Sequence, residues 1–257
     1  MNKIYIYDGS FSNLISVIVE LIKIKTIPFD IKKNSSLSIF DEEVLLNIKS
    51  DKENIEQLKK MVSKNIMLSV YYVYLSSNDN KEMIIYNFIK EGLKYHNKVY
   101  FYRKIDCVND VIRIEQYVRK EAHKLKGFLR FKEMKNGFFY ASFSSTNNVI
   151  GILANHFKNR LSAEYWVIKD EKRNIYALYN KNKVIYLTEE DIVKLNLDFS
   201  SNELFFEDLW KTFFKTIAIK ERKNLRCQRN FMPKKYWKNI LEMEEEKLWK
   251  KFYMVMN

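Results

Sequence analysis

Residues 111–180 read VIRIEQYVRKEAHKLKGFLRFKEMKNGFFYASFSSTNNVIGILANHFKNRLSAEYWVIKDEKRNIYALYN, and the fold is decided here. Val111, Ile114, Val118, Ala122 and Leu125 recur at three- and four-residue steps, which predicts an amphipathic helix to Lys126. Arg113, Gln116, Lys120, His123 and Lys124 fall on its other face, and Gly127 follows a basic last turn as a helix stop. Two β-rich runs come next, GFLRFKEM and GFFYASF, with Lys135-Asn136-Gly137 as their hairpin turn. A second helix is expected over 147–160, with His156 and Arg160 one turn apart. YWVIKD and RNIYALYN then form a second hairpin. Helix, hairpin, helix, hairpin predicts an α+β fold, with a small antiparallel sheet of hairpins and packed helices. The N- and C-terminal parts read as helix-rich.

Outward from this unit, Lys3 to Tyr7 reads as a strand and Asp8-Gly9-Ser10 as its exit turn, with Ser10 capping a helix from Phe11 to about Ile24. Asp8 has two readings, a catalytic carboxylate at a strand end or a turn former, and the turn is favoured. Residues 26–40 are polar and contain Pro28, so they read as loop or a short edge piece. Helices are expected over 51–62, 66–75 and 82–96. Tyr71, Tyr72, Tyr74, Tyr86 and Phe88 lie at core spacing, and burial outweighs base stacking as their role. His96 reads as a surface residue near a helix end. Past the centre, Lys183 to Leu187 is a further hairpin arm or edge strand, and Thr188 caps an acidic helix start. Glu203 to Ile219 is the most strongly amphipathic helix, with burial as its expected role.

The segment ERKNLRCQRNFMPKKYW spans 221–237. Arg222, Arg226 and Arg229 would align along one side of a continuing helix, with Asn224 and Gln228 placed to reach base edges or phosphates. Pro233 ends or restarts that helix. Tyr236 and Trp237 open a last amphipathic stretch through Ile240, Trp249 and Phe252. A basic cluster beside exposed aromatics suits single-stranded or flipped-out nucleic acid. The alternative is a solvated basic face with a packed Trp.

The 257 residues carry a net charge of +13, unevenly placed. Residues 111–180 hold 13 Lys+Arg against 6 Asp+Glu, residues 211–257 hold 13 against 5, and the remaining 140 residues sum to −2. A Lys-favouring codon bias would spread charge throughout and would not select arginines such as Arg119, Arg130, Arg160 and Arg173. The asymmetry therefore points to a polyanionic partner. A 47% hydrophobic content supports a core, and five Gly and two Pro leave little material for linkers. The chain reads as one domain over 1–257, with sub-lobes 1–110 and 111–257. No membrane-spanning run and no signal-peptide layout is seen, so a soluble cytoplasmic protein is expected. Cys107 and Cys227 stand far apart and give neither a disulfide framework nor metal spacing.

Phosphate-loop, dinucleotide-binding, HExxH and zinc-deaminase motifs are all absent, and the sequence names no cofactor. Two Cys do not hold an iron–sulfur cluster. What remains is a polar set of His123, Arg130, His156, Arg160, Asp170 and Arg173. If the two central helices share a side of the sheet, His123 and His156 would approach, one serving as general acid or base tuned by Asp170. Asp170 and Arg173 also bracket a tight turn, a purely structural role.

The blocks EAHKLKGFLRFKE, ANHFKNR, WVIKDEKR and a C-terminal stretch ending FMPKKYW, together with YDGSF near the start, are similar to one bacterial family. That family is described as probable DNA metabolism or DNA repair proteins, a domain of unknown function. Its members accompany a radical SAM protein and occur fused to a uracil-DNA glycosylase domain. SSTNNVIGIL departs from the family pattern in lacking a Pro. The resemblance implies a protein that binds nucleic acid, DNA before RNA, and acts with a radical SAM partner. It establishes no catalytic residue. The alternatives are a non-catalytic adaptor for DNA or the partner enzyme, and a binding module whose basic face is incidental.

Overall fold

The computed structural model describes residues 3–33, 43–44, 52–192 and 198–243. The chain forms two compact units, Met1–Arg119 and Lys120–Asn257.

In the first unit, β1 (Ile4–Tyr7) is buried along its whole length and leads through the Asp8 turn into α1 (Phe11–Lys23). Ser10 caps α1 as expected, its hydroxyl accepting the Asn13 amide at 3.1 Å. The α1 face carrying Leu14, Ile15, Ile18 and Leu21 is fully buried. One strand was expected here, but β1 lies between two parallel neighbours, β2 (Asp30–Lys33) and β3 (Glu43–Val44). Parallel pairing needs a crossover, and α1 supplies it between β1 and β2. The polar sequence of β2 hid it, since only Ile31 of its residues is buried. The helices α2 (Lys52–Met61), α3 (Lys64–Leu75) and α4 (Lys81–Tyr95) follow. His96 ends α4 at a positive φ of 49° and is exposed. A 3-10 turn leads to α5 (Asp106–Phe128), whose start belongs to this unit and whose end belongs to the next.

Gly127 does not stop α5; the helix runs on to Phe128, and the Leu129 amide still donates to the Leu125 carbonyl at 3.0 Å. In the second unit β4 (Lys132–Glu133) and β5 (Phe139–Phe143) form the first hairpin. Gly137 holds its turn at a φ of +77°, a conformation that glycine adopts freely. Helix α6 (Ile150–Arg160) then crosses to β6 (Tyr165–Asp170), followed by β7 (Ile175–Asn180) and β8 (Val184–Leu187). The sheet order is β4-β5-β6-β7-β8. The expected wholly antiparallel sheet is corrected to a mixed one, because β5 and β6 pair parallel. The two hairpins meet side by side with a helix carrying the chain back between them. Trp166, Phe143 and Ile168 are buried on one face, where α6 packs with Leu153 and Phe157. Val167 and Tyr176 are buried on the other with Ile192 of α7 (Glu189–Ile192).

Beyond α7 the sequence reading changes most. In α8 (Glu203–Thr216) Glu203 alone is buried, while Phe206, Leu209, Trp210 and Phe213 are exposed. The strands that would receive such a helix already have α6 and α7 against them. Nor does α8 continue through the arginines: a 3-10 turn at Lys220–Arg222 breaks it, and α9 (Leu225–Phe231) starts afresh. Lys234–Asn239 and Leu241–Met243 are 3-10 turns, with Tyr236 and Trp237 buried. The expected continuation through Trp249 and Phe252 lies outside the described residues. No helix among the described residues is long and apolar enough to cross a membrane.

Candidate nucleic-acid interface

The polar centre of the second unit is Glu121, a residue the periodic reading passed over. It sits one position before Ala122, on the buried stripe of α5, and its side chain is 2% exposed. Its carboxylate accepts the Thr146 amide (3.0 Å), the Asn147 amide (2.9 Å) and the Asn147 side-chain amide (2.6 Å). Lys235 Nζ (2.9 Å) and the Tyr236 hydroxyl (3.0 Å) donate to it from the far end of the chain. Burial alone would raise this carboxyl, but the Asn147 and Thr146 amides and the Lys235 ammonium outweigh it, so the group is held below its ordinary value. Tyr236 is pushed up to about 12, first by burial. The second central helix begins at Ile150 and not at Asn147.

Asp170 and Arg173 brace the same loop from the other side. Asp170 is fully buried and accepts Arg173 Nη1 at 2.9 Å and the Lys172 amide at 3.1 Å. Arg173 Nη2 donates to the Thr146 carbonyl at 2.6 Å. The motif blocks EAHKLKG, KDEKR and PKKYW therefore converge on residues 145–147. Asp170 spends its oxygens on the β6–β7 turn and does not bond either histidine. His123 is exposed and makes no hydrogen bond or ion pair among the described residues. His156 is half-buried against the edge of Phe157. Burial first, then Lys126 and Arg160, lowers its pKa, which favours the neutral ring. In the first unit, Asp8 accepts the Ser10 amide at 2.7 Å in its own turn, and Arg113 pairs with Asp110 at 3.0 Å. These groups do not assemble into an acid–base pair, and no cluster of three metal-binding side chains occurs among the described residues.

The expected nucleic-acid contacts divide in two. Arg130 is committed internally: Nη2 meets Glu242 at 2.6 Å and Nη1 the Gly127 carbonyl at 2.8 Å. Tyr236 and Trp237 are core residues, Trp237 donating from Nε1 to the Met232 carbonyl at 2.8 Å. Asn224 caps α9 by accepting the Cys227 amide at 2.9 Å, and Gln228 donates to the Met243 sulfur at 3.7 Å. By contrast Arg222, Arg226, Arg229, Lys120 and Arg160 are exposed and have no carboxylate partner among the described residues.

Arg222 and Lys223 border an open groove of about 730 Å³ between α8 and α9. Phe214, Ile217, Ile219 and Phe231 line it, so an apolar floor lies under a cationic rim. Phe231 is 75% exposed and Phe213, on α8, is 54% exposed. Exposed aromatics beside the arginines were expected at Tyr236 and Trp237; the exposed rings are Phe231 of α9 and those of α8, the helix expected to be buried. The α8 rings were signalled only by its pattern of Phe and Trp, which is equally the signature of a buried helix.

The sequence profile of a family described as a domain of unknown function, DUF4130, matches residues 79–242. No curated protein matches the chain.

Proposed function

The chain belongs to the DUF4130 family, and from that footing we propose that it is a nucleic-acid-binding protein of DNA metabolism whose contact surface is the α8–α9 groove. The observation that carries this reading is a rim of Arg222 and Lys223 above Phe214 and the exposed Phe231 of the groove, with Arg226 and Arg229 lacking carboxylate partners among the described residues. Guanidinium groups with no internal anion are free to take phosphates. Exposed aromatic rings beside them offer stacking surfaces for bases, which favours single-stranded over duplex nucleic acid. The family resemblance adds DNA repair as the setting and a radical SAM protein as the partner that performs the chemistry.

A second reading, a non-catalytic adaptor, draws support from the histidines. Neither is bonded to the other or to Asp170, so the chain presents a grip without an evident acid–base pair.

Fluorescence anisotropy of labelled single- and double-stranded DNA, titrated across salt, tests the proposal. Replacing Arg222, Arg226 and Arg229 together by Ala removes up to three phosphate contacts. For single strands this flattens the log–log salt slope by about 2 and weakens binding roughly ten-fold or more at low salt. Equal affinity and slope in the variant would refute the assignment.

A further inference from the structure

A second concavity, of about 190 Å³, lies where β4 and β5 meet the turns at 234–243. Three cations border it, and each already has its carboxylate. Arg130 pairs with Glu242 at 2.6 Å, Lys132 with Glu207 at 2.6 Å and Lys238 with Glu171 at 2.7 Å. An anionic ligand gains little from walls whose charge is neutralised, and a cation finds no spare carboxylate among these pairs. The ligand chemistry that fits is therefore uncharged.

Two aromatic rings remain, with two polar groups that lack a partner among the described residues. Phe199 and Tyr140 stand with their centroids 6.4 Å apart. The Tyr140 hydroxyl has no hydrogen-bond partner among the described residues. Burial pushes it up to about 12, so it keeps its proton at neutral pH. The Asn239 side-chain nitrogen donates to Ser142 Oγ at 3.0 Å and to the Glu171 carboxylate at 2.8 Å. A carboxylate only accepts, which fixes the nitrogen end of the amide and leaves its oxygen without a donor among the described residues. One ring to stack on, a second set at 60° to it, one hydroxyl and one oriented acceptor suit a planar heterocycle with mixed donors and acceptors. The volume is that of about six water molecules in the liquid, and below the roughly 300 Å³ at which drug-sized sites begin. It admits one ring system and little more.

We propose that this concavity receives a single unstacked nucleobase, with Phe199 and Tyr140 against its ring and Asn239 at its hydrogen-bonding edge. The inference rests on the nucleic-acid reading above and deepens it: the α8–α9 groove grips the strand, and this site reads one base.

Saturation-transfer NMR of the full chain with each of the four free deoxynucleosides tests it. Transfer to at least one nucleoside is expected. Phe199→Ala should weaken binding of every nucleoside about ten-fold, and Phe199 is exposed enough that the fold survives its loss. Asn239→Ala should change the rank order among the four instead. Absence of transfer to all four, or binding unchanged in Phe199→Ala, overturns the proposal. The two readings fail separately. Nucleoside binding without strand binding removes the α8–α9 groove and keeps this site; strand binding without nucleoside binding does the reverse.

Discussion

Removing the Glu121 carboxylate is the sharpest perturbation available in the second unit. Glu121→Ala removes the anion from Lys235 and one acceptor each from the Asn147 side chain and the Thr146 and Asn147 amides. Breaking a buried ion pair on one side costs about 3–5 kcal/mol, and each stranded buried donor adds about 1–3 kcal/mol. Lys235 is 46% exposed in its side chain and rehydrates, which discounts the upper end. With the ion-pair share cut to about 1 kcal/mol by that exposure and about 1 kcal/mol for each of the three donors, a loss of about 4 kcal/mol follows, or roughly 14 °C in Tm for a unit of this size. Glu121→Gln keeps the volume and one acceptor, and should lose about half as much. Tryptophan fluorescence in urea is the natural assay, because all four Trp lie after residue 119 and report the second unit alone. The pH dependence has a definite sign. The folded carboxyl is held below its ordinary value of 4.5, so its stabilisation is complete above that value and drains away as pH falls through the folded pKa. Glu121→Gln should flatten that acid limb. A loss under about 1 kcal/mol in Glu121→Ala, or an acid limb unchanged in Glu121→Gln, would refute the argument that this carboxylate holds the loop at 145–147.

Three further outcomes are expected. Trp237→Ala should destabilise by about 3–5 kcal/mol in the same urea melt, and strand affinity per folded molecule should stay constant, since the ring is 7% exposed and spends its N–H on Met232. Burial raises the Glu242 carboxyl while Arg130 lowers it further, for a net shift below 4.5; Arg130→Ala should therefore raise the Glu242 pKa and remove the share of acid destabilisation that this carboxylate contributes, readable as a shallower stability–pH curve below pH 4.5. Leu209→Ser with Phe213→Ser should change stability by no more than about 0.5 kcal/mol and lower any concentration-dependent light scattering, because both side chains already face solvent.

The central helices and the hairpin strands were legible because their periodicities survive burial: Val111, Ile114, Val118 and Leu125 are all in the core. Strand pairing was not legible, since adjacent hairpins associate through tertiary packing, and the sequence of α6 does not say which strands it will bring together. Glu121 illustrates a subtler loss. A charge on an apolar stripe signals a buried partner, yet the partners lie 25 or more positions away and have no local trace. The motif blocks were visible, and their aromatic and basic residues suggested ligands, whereas Tyr236, Trp237, Asp170 and Arg173 serve the fold. In α8 the converse holds: amphipathicity predicts an apolar stripe but cannot name its neighbour, and the same pattern describes a buried face and a presented one.

The Glu121 bonds also order events in time. The carboxylate leaves the ribosome well before Lys235 and Tyr236, which are separated from it by 114 and 115 positions. Until that distant segment arrives, closing the loop at 145–147 over Glu121 would bury a charge lacking its counterion, an unfavourable state. Nascent chains stopped before residue 235 should hold the hairpins without a settled loop, vulnerable to proteases near Thr146. Locking is then a late, long-range closure of high contact order, slow relative to the helices that precede it.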